Sequence, residues 1–414
     1  MISTSATRRI RHILLGTALA TAFAGSAFAD VVKIGLLAPL TGPAAADGQE
    51  FQRGVQMAID EANAAGGIAG NTFELVTGDV KDQSSGNVTS AVERLLGDPD
   101  VHFMMTGYAS LTNFEIDNMA EAEMPYMLAA TSQQTKDIIA PSPDKYNCCW
   151  SLTPSFDAYN TDVTSFVEKL AADGKIKLST KKVAIISSDN AYSKTISEGM
   201  KKTFLEKGWT ITVDEIVPFG EVTDWRSILA KVRENVPDVV INTDYLPGNS
   251  ASFLNQFNEQ PTNSLVFLQY APSVPEFVEL TGKNSNGIIY NLLGGALTTP
   301  KNPRAEEIAT KFKTKYGVES GTYGVGLYEV VNVYFDALKK AGDPKDHAAV
   351  MKALGETDKQ VAQGRLKFDP LTHLAMQGDD YIPITFFQIW DGKRDLISPE
   401  KYATGEFKIQ PWMK

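Results

Sequence analysis

The sequence predicts an α/β protein made of two similar units, each a parallel sheet with helices on both faces, that meet at a cleft. Three observations lead to this prediction. Apolar stretches of strand length alternate with helical stretches in two successive series, which divide near Pro154. No Pro- or Ser-rich linker parts the series, which favours a hinged pair over tethered domains. After Gly287 the order changes, so we expect the chain to return to the first unit and finish elsewhere, joining the units by several crossovers.

The first 29 residues have the composition of a secretory signal peptide. Three arginines precede an apolar run at 13–24, and the small-residue pattern Ala-Phe-Ala at 27–29 fits a cleavage site. A retained membrane anchor is the alternative, but the run is shorter than the roughly 20 residues that a span needs. We therefore expect export to the periplasm and removal of residues 1–29. The arginines are Arg8, Arg9 and Arg11.

The first series begins with a buried strand at 31–39. A helix follows, because Phe51, Val55 and Ile59 recur at helical spacing. It ends in 65-AGGIAG-70, where glycine can adopt the left-handed cap conformation. The remaining elements of this series are strands at 73–79, 101–107 and 125–131 and helices at 87–96 and 112–121.

The second series repeats the alternation, and its tail departs from it. Helices are predicted at 159–171, 193–207, 225–234 and 250–258, with strands at 182–189, 210–217, 238–245 and 264–271. The tail is predicted to hold a strand at 287–295, helices at 305–316, 323–341 and 345–354, and extended segments at 363–370 and 381–392.

The mature charge excludes some classes of partner. Loss of the three signal arginines changes the formal net charge from −11 to −14. Nucleic acids and anionic membranes attract clustered Lys and Arg, so neither is an expected partner. Hydrolytic chemistry is also not expected, since the chain has no Gly-x-Ser-x-Gly elbow and no His-Glu-x-x-His motif. We predict that the protein is not an enzyme.

The cysteines are adjacent, at Cys148 and Cys149. Neighbouring residues in a strand point to opposite faces, so a bridge between them would strain the backbone. The pattern favours two small buried side chains, and a strained vicinal disulfide in an oxidising compartment is the alternative. The four histidines are scattered without ligand spacing, so no metal or cofactor is expected.

A candidate binding site follows the strand at 101–107. That strand stops before Tyr108, Ala109 and Ser110, and a helical pattern begins near Thr112. The unpaired N–H groups at a helix start favour an anionic or strongly polar ligand group. The alternative is that Ser110 serves only as a helix cap.

Three motifs resemble one known family. They are 33-KIGLLAPLTGPAAADGQEFQRGVQMAIDEANAAGGIAG-70, 81-KDQSSGNVTSAVERLL-96 and 187-SSDNAYSKTISEGMKKTFLEKG-208. They are similar to the periplasmic Leu/Ile/Val-binding proteins, the type I solute-binding components of ABC importers, over about 31–392. The resemblance implies two Rossmann-like lobes joined by three hinge crossovers. Lobe 1 would comprise 30–154 plus 293–360, and lobe 2 would comprise 155–292 plus 361–414.

The resemblance also implies a function and a set of ligand-binding residues. The protein would bind a small solute between the lobes, most simply a branched-chain amino acid, and dock on an ABC permease in the inner membrane. Presentation of the ligand to a chemoreceptor or sensor kinase is an alternative role. The implied contacts are Tyr108, Ala109, Ser110, Ala130, Thr131 and Ser132 from lobe 1, Tyr192 and Tyr245 from lobe 2, and further tyrosines at Tyr270 and Tyr323.

One departure from the family leaves the ligand open. Relatives that bind amino acids place an acidic residue after the strand at 264–271 to pair with the ligand ammonium, but this chain continues Tyr270-Ala271-Pro272. Asp244 or Asp47 could replace that acid. Otherwise a uracil-, urea- or amide-like ligand or an aromatic carboxylate would need no such partner, and the tyrosines suit a flat ligand.

Overall fold

The computed structural model describes residues 1, 2, 30–110 and 112–414. Residues 3–29 of the predicted signal peptide lie outside this part of the chain. None of the helices in the described residues combines the length and the apolar character that a membrane crossing requires.

The first sheet is parallel throughout, and its strands lie side by side in the order 71–79, 30–38, 101–106, 126–128 and 149–151. Ile34 and Leu36 pack in one apolar core and Leu37 in another, so the strand at 30–38 is covered on both faces. The elements are β1 (Asp30–Ala38), α1 (Ala45–Ala64), β2 (Asn71–Asp79), α2 (Ser85–Leu96), β3 (Val101–Thr106), α3 (Glu115–Glu121), β4 (Tyr126–Leu128), α4 (Gln133–Ile139) and β5 (Cys149–Ser151).

The second sheet contains five parallel strands, four from the second series and one, at 289–293, from the predicted tail. Here too the apolar strands are covered on both faces, since Ile186 packs in one core and Ile185 in another. The elements are α5 (Tyr159–Ala172), β6 (Lys182–Ser188), α6 (Ala191–Glu206), β7 (Thr210–Val217), α7 (Arg226–Glu234), β8 (Val239–Asn242), α8 (Pro247–Glu259), β9 (Leu265–Leu268), α9 (Pro275–Thr281) and β10 (Ile289–Leu293).

The last quarter of the chain packs against helix α1 of the first unit and adds two strands to the second sheet. It forms α10 (Pro303–Tyr316), α11 (Tyr323–Ala341), α12 (His347–Gly355), the hairpin β11 (Asp358–Val361) with β12 (Gly364–Lys367), then β13 (Ile384–Trp390) and β14 (Lys393–Ser398). Helix α11 packs on α1. Strands β13 and β14 are antiparallel and complete the second sheet in the order β14-β13-β10-β9-β8-β6-β7. The predicted residue limits of the two lobes stay a prediction.

Helices α1 and α11 approach each other closely because glycines face each other. A Cβ atom built on Gly54 would lie 2.2 Å from the carbonyl oxygen of Gly324. The hydroxyl of Tyr316 in α10 also donates to the carbonyl of Arg53 in α1 at 2.8 Å. The helices that follow the second sheet are thereby fixed to the first.

The helix after β3 begins later than the sequence predicts. It starts at Glu115 rather than near Thr112, because Asn113 has a left-handed backbone conformation, with φ at 56°, that a helix does not accommodate. The expectation of a helix start near Thr112 is therefore wrong. A further helix, α4, follows β4 in a stretch for which the sequence predicted no element.

The structure joins Cys148 and Cys149 in a disulfide, so the alternative interpretation of the adjacent cysteines holds. Both residues are buried, and Cys149 opens β5. The expectation that favoured two unbridged thiols is corrected, because it weighed only the cost of bridging neighbours.

Candidate functional site

A cavity lies between the two sheets, at the carboxyl ends of their strands. Among the described residues that line the cavity, none has a charged side chain. The lining residues are Tyr108, Ala129, Ala130, Thr131, Thr153 and Pro154 after strands of the first sheet, Phe156, Tyr159, Tyr192, Tyr245, Tyr270, Leu292 and Leu293 from the second series, and Thr322 with Tyr323 at the start of α11.

Six of these residues form a continuous series of neighbouring rings, which we call the aromatic belt. The planes of successive rings meet at angles of 54° to 83°. Such inclined arrangements are favourable for aromatic pairs. The centroid distances are 5.0 Å for Phe156–Tyr192, 5.6 Å for Tyr192–Tyr245, 6.2 Å for Tyr245–Tyr108, 5.5 Å for Tyr108–Tyr323 and 6.0 Å for Tyr323–Tyr270.

Behind the belt lies the carboxylate of Asp47, in the first turn of α1, with 3% of its surface exposed. It accepts hydrogen bonds from the Tyr108 hydroxyl at 2.5 Å and the Tyr270 hydroxyl at 2.8 Å. Burial raises the pKa of Asp47 to about 6, while the two phenol hydrogen bonds act in the opposite direction. Since Tyr108 follows β3 and Tyr270 follows β9, a single carboxylate connects the loops of both sheets.

The backbone at Tyr270 explains how its side chain reaches Asp47. Tyr270 has φ at 59° and ψ at −55°, and the N–H of Ala271 donates to the carbonyl of Gln269 at 2.6 Å. This is the rare form of the γ-turn, which is strained for a residue with a side chain. Strain of this kind persists where the surroundings hold it in place, and it concentrates at functional sites.

A second hydrogen bond crosses between the two sets of loops. The amide of Gln83, which follows β2, donates to the Tyr245 hydroxyl at 3.2 Å. Within the second sheet, the amide of Gln269 donates to the Tyr192 hydroxyl at 3.1 Å. Four of the five belt tyrosines therefore have their hydroxyls fixed by the protein.

Glu50 is a second buried carboxylate near the belt. It accepts from the backbone N–H of Gly324 at 2.5 Å and from the Ser320 hydroxyl at 2.9 Å. Burial raises the pKa of Glu50 to about 7, and the charge of Asp47 contributes in the same direction. The contact fixes α1 to the N-terminus of α11, where a negative charge is favoured by the helix dipole.

The structure brings together seven of the ten residues proposed from the sequence. Ala109, Ser110 and Ser132 do not line the cavity. The Ser110 hydroxyl donates to Glu115, and Ser132 caps α4 in a reciprocal arrangement with Thr135. The seven at the cavity are Tyr108, Ala130, Thr131, Tyr192, Tyr245, Tyr270 and Tyr323.

Several residues that line the cavity were not predicted from the sequence. Phe156 and Tyr159 follow β5, and Leu292 and Leu293 end β10. Their signal was their position at the carboxyl ends of strands, but a short strand such as β5 is hard to recognise. Of the two proposed replacements for the missing acid, only Asp47 touches the belt. Asp244 turns into its own loop, where Asn249 and the N–H of Leu246 donate to it.

The sequence matches a known family and curated relatives over most of its length. The family model described as "Periplasmic binding protein" matches residues 31–392. The Leu/Ile/Val-binding protein homolog 8 of Brucella suis biovar 1 (strain 1330) is 25% identical over 425 residues, covering 97% of this chain and 100% of the relative. The homolog 7 of Brucella abortus (strain 2308) is 26% identical over 413 residues, covering 96% and 99%.

Solved structures show the same architecture. A protein of Silicibacter pomeroyi named as a putative branched-chain amino acid ABC transporter superposes with a TM-score of 0.81 at 32% identity, covering 93% of this chain and 100% of that one. The branched-chain amino acid transporter substrate binding protein of Streptococcus pneumoniae, in complex with isoleucine, has a TM-score of 0.74 at 22% identity, covering 89% and 100%. The second likeness concerns the fold alone.

Proposed function

We propose, from the premise that this chain belongs to the periplasmic binding protein family, that it binds a small solute in the cavity between its two sheets and delivers it to the permease of an ABC importer. The cavity is the observation that carries this proposal. It lies at the carboxyl ends of both parallel sheets, where open α/β folds bind their ligands, and both sheets contribute to its wall. Relatives named for Leu, Ile and Val support the same role.

A branched-chain amino acid is the first candidate ligand. Pro154, Leu292 and Leu293 offer apolar surface for a branched side chain. Ala130 and Thr131, which follow β4, line the same wall, and the Thr131 hydroxyl, which donates to the carbonyl of Pro154, can accept from a ligand. Ala109, Ser110 and Ser132 belong to the same loops and stay in the proposed set as supports of that wall. The aromatic belt favours a second candidate class, a flat amide, urea-like or aromatic carboxylate ligand, because rings stack on flat solutes.

The proposed cycle uses the two lobes as rigid bodies. Lobe 1, residues 30–154 plus 293–360, and lobe 2, residues 155–292 plus 361–414, would rotate about the three crossovers and enclose the ligand. Closure is driven only by contacts that the ligand makes better in the closed form. Cleavage of residues 1–29 would release the mature chain into the periplasm.

Titration of the mature chain with a panel of solutes tests the proposal. Isothermal titration calorimetry and thermal shift should identify a compound that binds with one-to-one stoichiometry. Binding stabilises the folded chain by about 2.7 kcal/mol at a ligand concentration a hundredfold above the Kd. The panel holds branched-chain amino acids, amides, urea, uracil, aromatic acids and methylated ammonium acids. Failure of every compound to bind the folded protein would refute the role.

A cavity-filling variant locates the site. Leu293→Trp places a large ring in the cavity, and Leu280→Trp makes the same change on the surface, where Leu280 is 49% exposed. The first should abolish binding and the second should leave it intact, with circular dichroism checking the fold of both. Deletion of the gene should then reduce cellular uptake of the identified solute.

A further inference from the structure

Asp47 is a buried carboxylate with no cationic side chain beside it. Among the described residues it forms no ion pair, and its hydrogen bonds come from two neutral phenols. A buried charge is costly unless a counter-charge or a full set of donors accompanies it. The buried Glu329 is paired with Arg304, whereas Glu50, Glu115 and Asp244 are held by neutral donors, as Asp47 is. Asp47 differs from these three because both of its donors, Tyr108 and Tyr270, line the cavity. A cation bound against these two phenols would therefore lie close to the carboxylate of Asp47.

The negative charge of Asp47 affects all five tyrosines of the belt. After burial, which is the largest cause, the negative charge of Asp47 contributes to raising the pKa of every one of these hydroxyls. A cation in the cavity would therefore be stabilised and an anion there disfavoured. The hydroxyls are those of Tyr108, Tyr192, Tyr245, Tyr270 and Tyr323.

The belt itself is suited to hold a cation. Tyrosine faces attract ammonium groups within about 6 Å of the ring centroid, and the attraction grows where water is excluded. Tyr108, Tyr245, Tyr270 and Tyr323 are buried and Tyr192 is partly buried. Neighbouring rings are inclined to each other around a common space. Because Tyr108 and Tyr270 donate their protons to Asp47, their oxygens are left to accept from a ligand N–H.

We propose that the solute carries an ammonium group, which lies among the tyrosines of the aromatic belt with Asp47 behind them as its counter-charge. This rests on the proposed function and narrows its ligand class. The acid that is absent after β9 is replaced by one on α1, which acts through two phenols instead of touching the ligand. Such a layer of rings accepts alkylated as well as primary ammonium groups, since alkyl groups contact ring faces without losing hydrogen bonds.

Pairs of solutes that differ only in this group test the inference on the mature chain. Glycine betaine and 3,3-dimethylbutanoate have nearly the same shape but differ in charge, and leucine and 4-methylpentanoate differ by the ammonium group. In at least one pair the ammonium compound should bind about 10- to 30-fold more tightly, which corresponds to roughly 1.4 to 2 kcal/mol. If the carboxylates without an ammonium group or the aromatic acids bind and the ammonium compounds do not, the inference fails while the solute-binding role stands. If nothing binds, both fail.

Asp47→Asn keeps the shape of the side chain and removes its charge. It should weaken binding of the ammonium compound by about 10- to 30-fold. Binding of the partner that lacks the ammonium group should be unchanged or tighter, because that carboxylate no longer faces the negative charge of Asp47. Equal weakening of both partners would assign Asp47 a merely structural role and overturn the inference. Asp60→Asn is the matched control, since Asp60 lies on the same helix but is exposed and paired with Lys315.

Discussion

Tyr270→Phe removes one hydroxyl and keeps the ring. In the present conformation that hydroxyl donates to Asp47 at 2.8 Å, so the substitution deletes a bond between a loop of the second sheet and α1. The γ-turn at Tyr270 involves only backbone atoms and should persist. The variant therefore isolates one contact on which the closed arrangement depends.

The magnitude follows from the burial of both partners. Tyr270 is 6% exposed and Asp47 is 3% exposed, so water cannot replace the lost donor in the closed form. A hydrogen bond to a charged group contributes about 1.5–3 kcal/mol. In an open form, water would solvate the carboxylate, and the loss would fall almost wholly on the closed state. Ligand affinity should then fall by about 10- to 150-fold.

Two measurements check this expectation. Calorimetric titration gives the affinity, and small-angle scattering reports whether the ligand-free variant is more open than the wild type. Tyr316→Phe is the matched control, because its hydroxyl bonds the Arg53 carbonyl between α10 and α1, away from the belt. If Tyr270→Phe binds within twofold of the wild type and scatters identically, the role assigned to the Asp47–Tyr270 bond is wrong.

Three further predictions concern stability, and urea unfolding checks each. Gly54→Ala should lower the free energy of unfolding by about 1–3 kcal/mol, because its methyl group would lie 2.2 Å from the Gly324 carbonyl oxygen; an unchanged midpoint would contradict the close packing. Arg304→Met should lower the free energy of unfolding by about 2 kcal/mol, because it leaves the fully buried Glu329 without its partner. The loss should be smaller than for a fully buried ion pair, since the Arg304 side chain is 38% exposed. Burial raises the pKa of Glu50 from 4.5 to about 7, so the folded chain retains a proton that the unfolded chain has lost, and stability should fall as pH rises across that window. Glu50→Gln should flatten this decline, and an unaltered pH profile would refute the assignment.

The main elements were predictable because their signals are local. Strands of parallel sheets are apolar on both faces, and runs such as 182-KVAIIS-187 identify themselves by composition. The pattern at 381–392 predicted a strand. It did not predict that this strand pairs with β10 in antiparallel fashion, since pairing depends on residues distant in the sequence. The start of α3 was missed because the left-handed conformation of Asn113 depends on its contacts with Ala130 and Thr135, which come from the next strand–helix connection.

The belt was partly predictable for the same reason. Tyr108, Tyr192, Tyr245 and Tyr270 each follow a strand of a parallel sheet, where ligands bind, and this placement can be read from the chain. The position of Asp47 behind them could not be read, because it requires the relative placement of α1 and the second sheet. The resemblance to the family showed that an acidic residue is missing after the strand at 264–271. Only the coordinates show which aspartate lies near the belt instead.

The bonds between the two sets of loops bear on how a ligand controls closure. Asp47–Tyr270 and Gln83–Tyr245 are made by the protein itself, so the arrangement of the two sets of loops seen in the structure has some stability of its own. A ligand shifts the equilibrium only by the difference between its affinities for the two forms. An ammonium group inside the belt would gain that difference at Asp47, because the carboxylate is desolvated only when Tyr270 covers it. A neutral solute would gain only ring contacts, so the same closed cavity would enclose it less firmly. The protein would then distinguish an ammonium solute from a neutral one by the free energy of closure more than by the shape of the cavity.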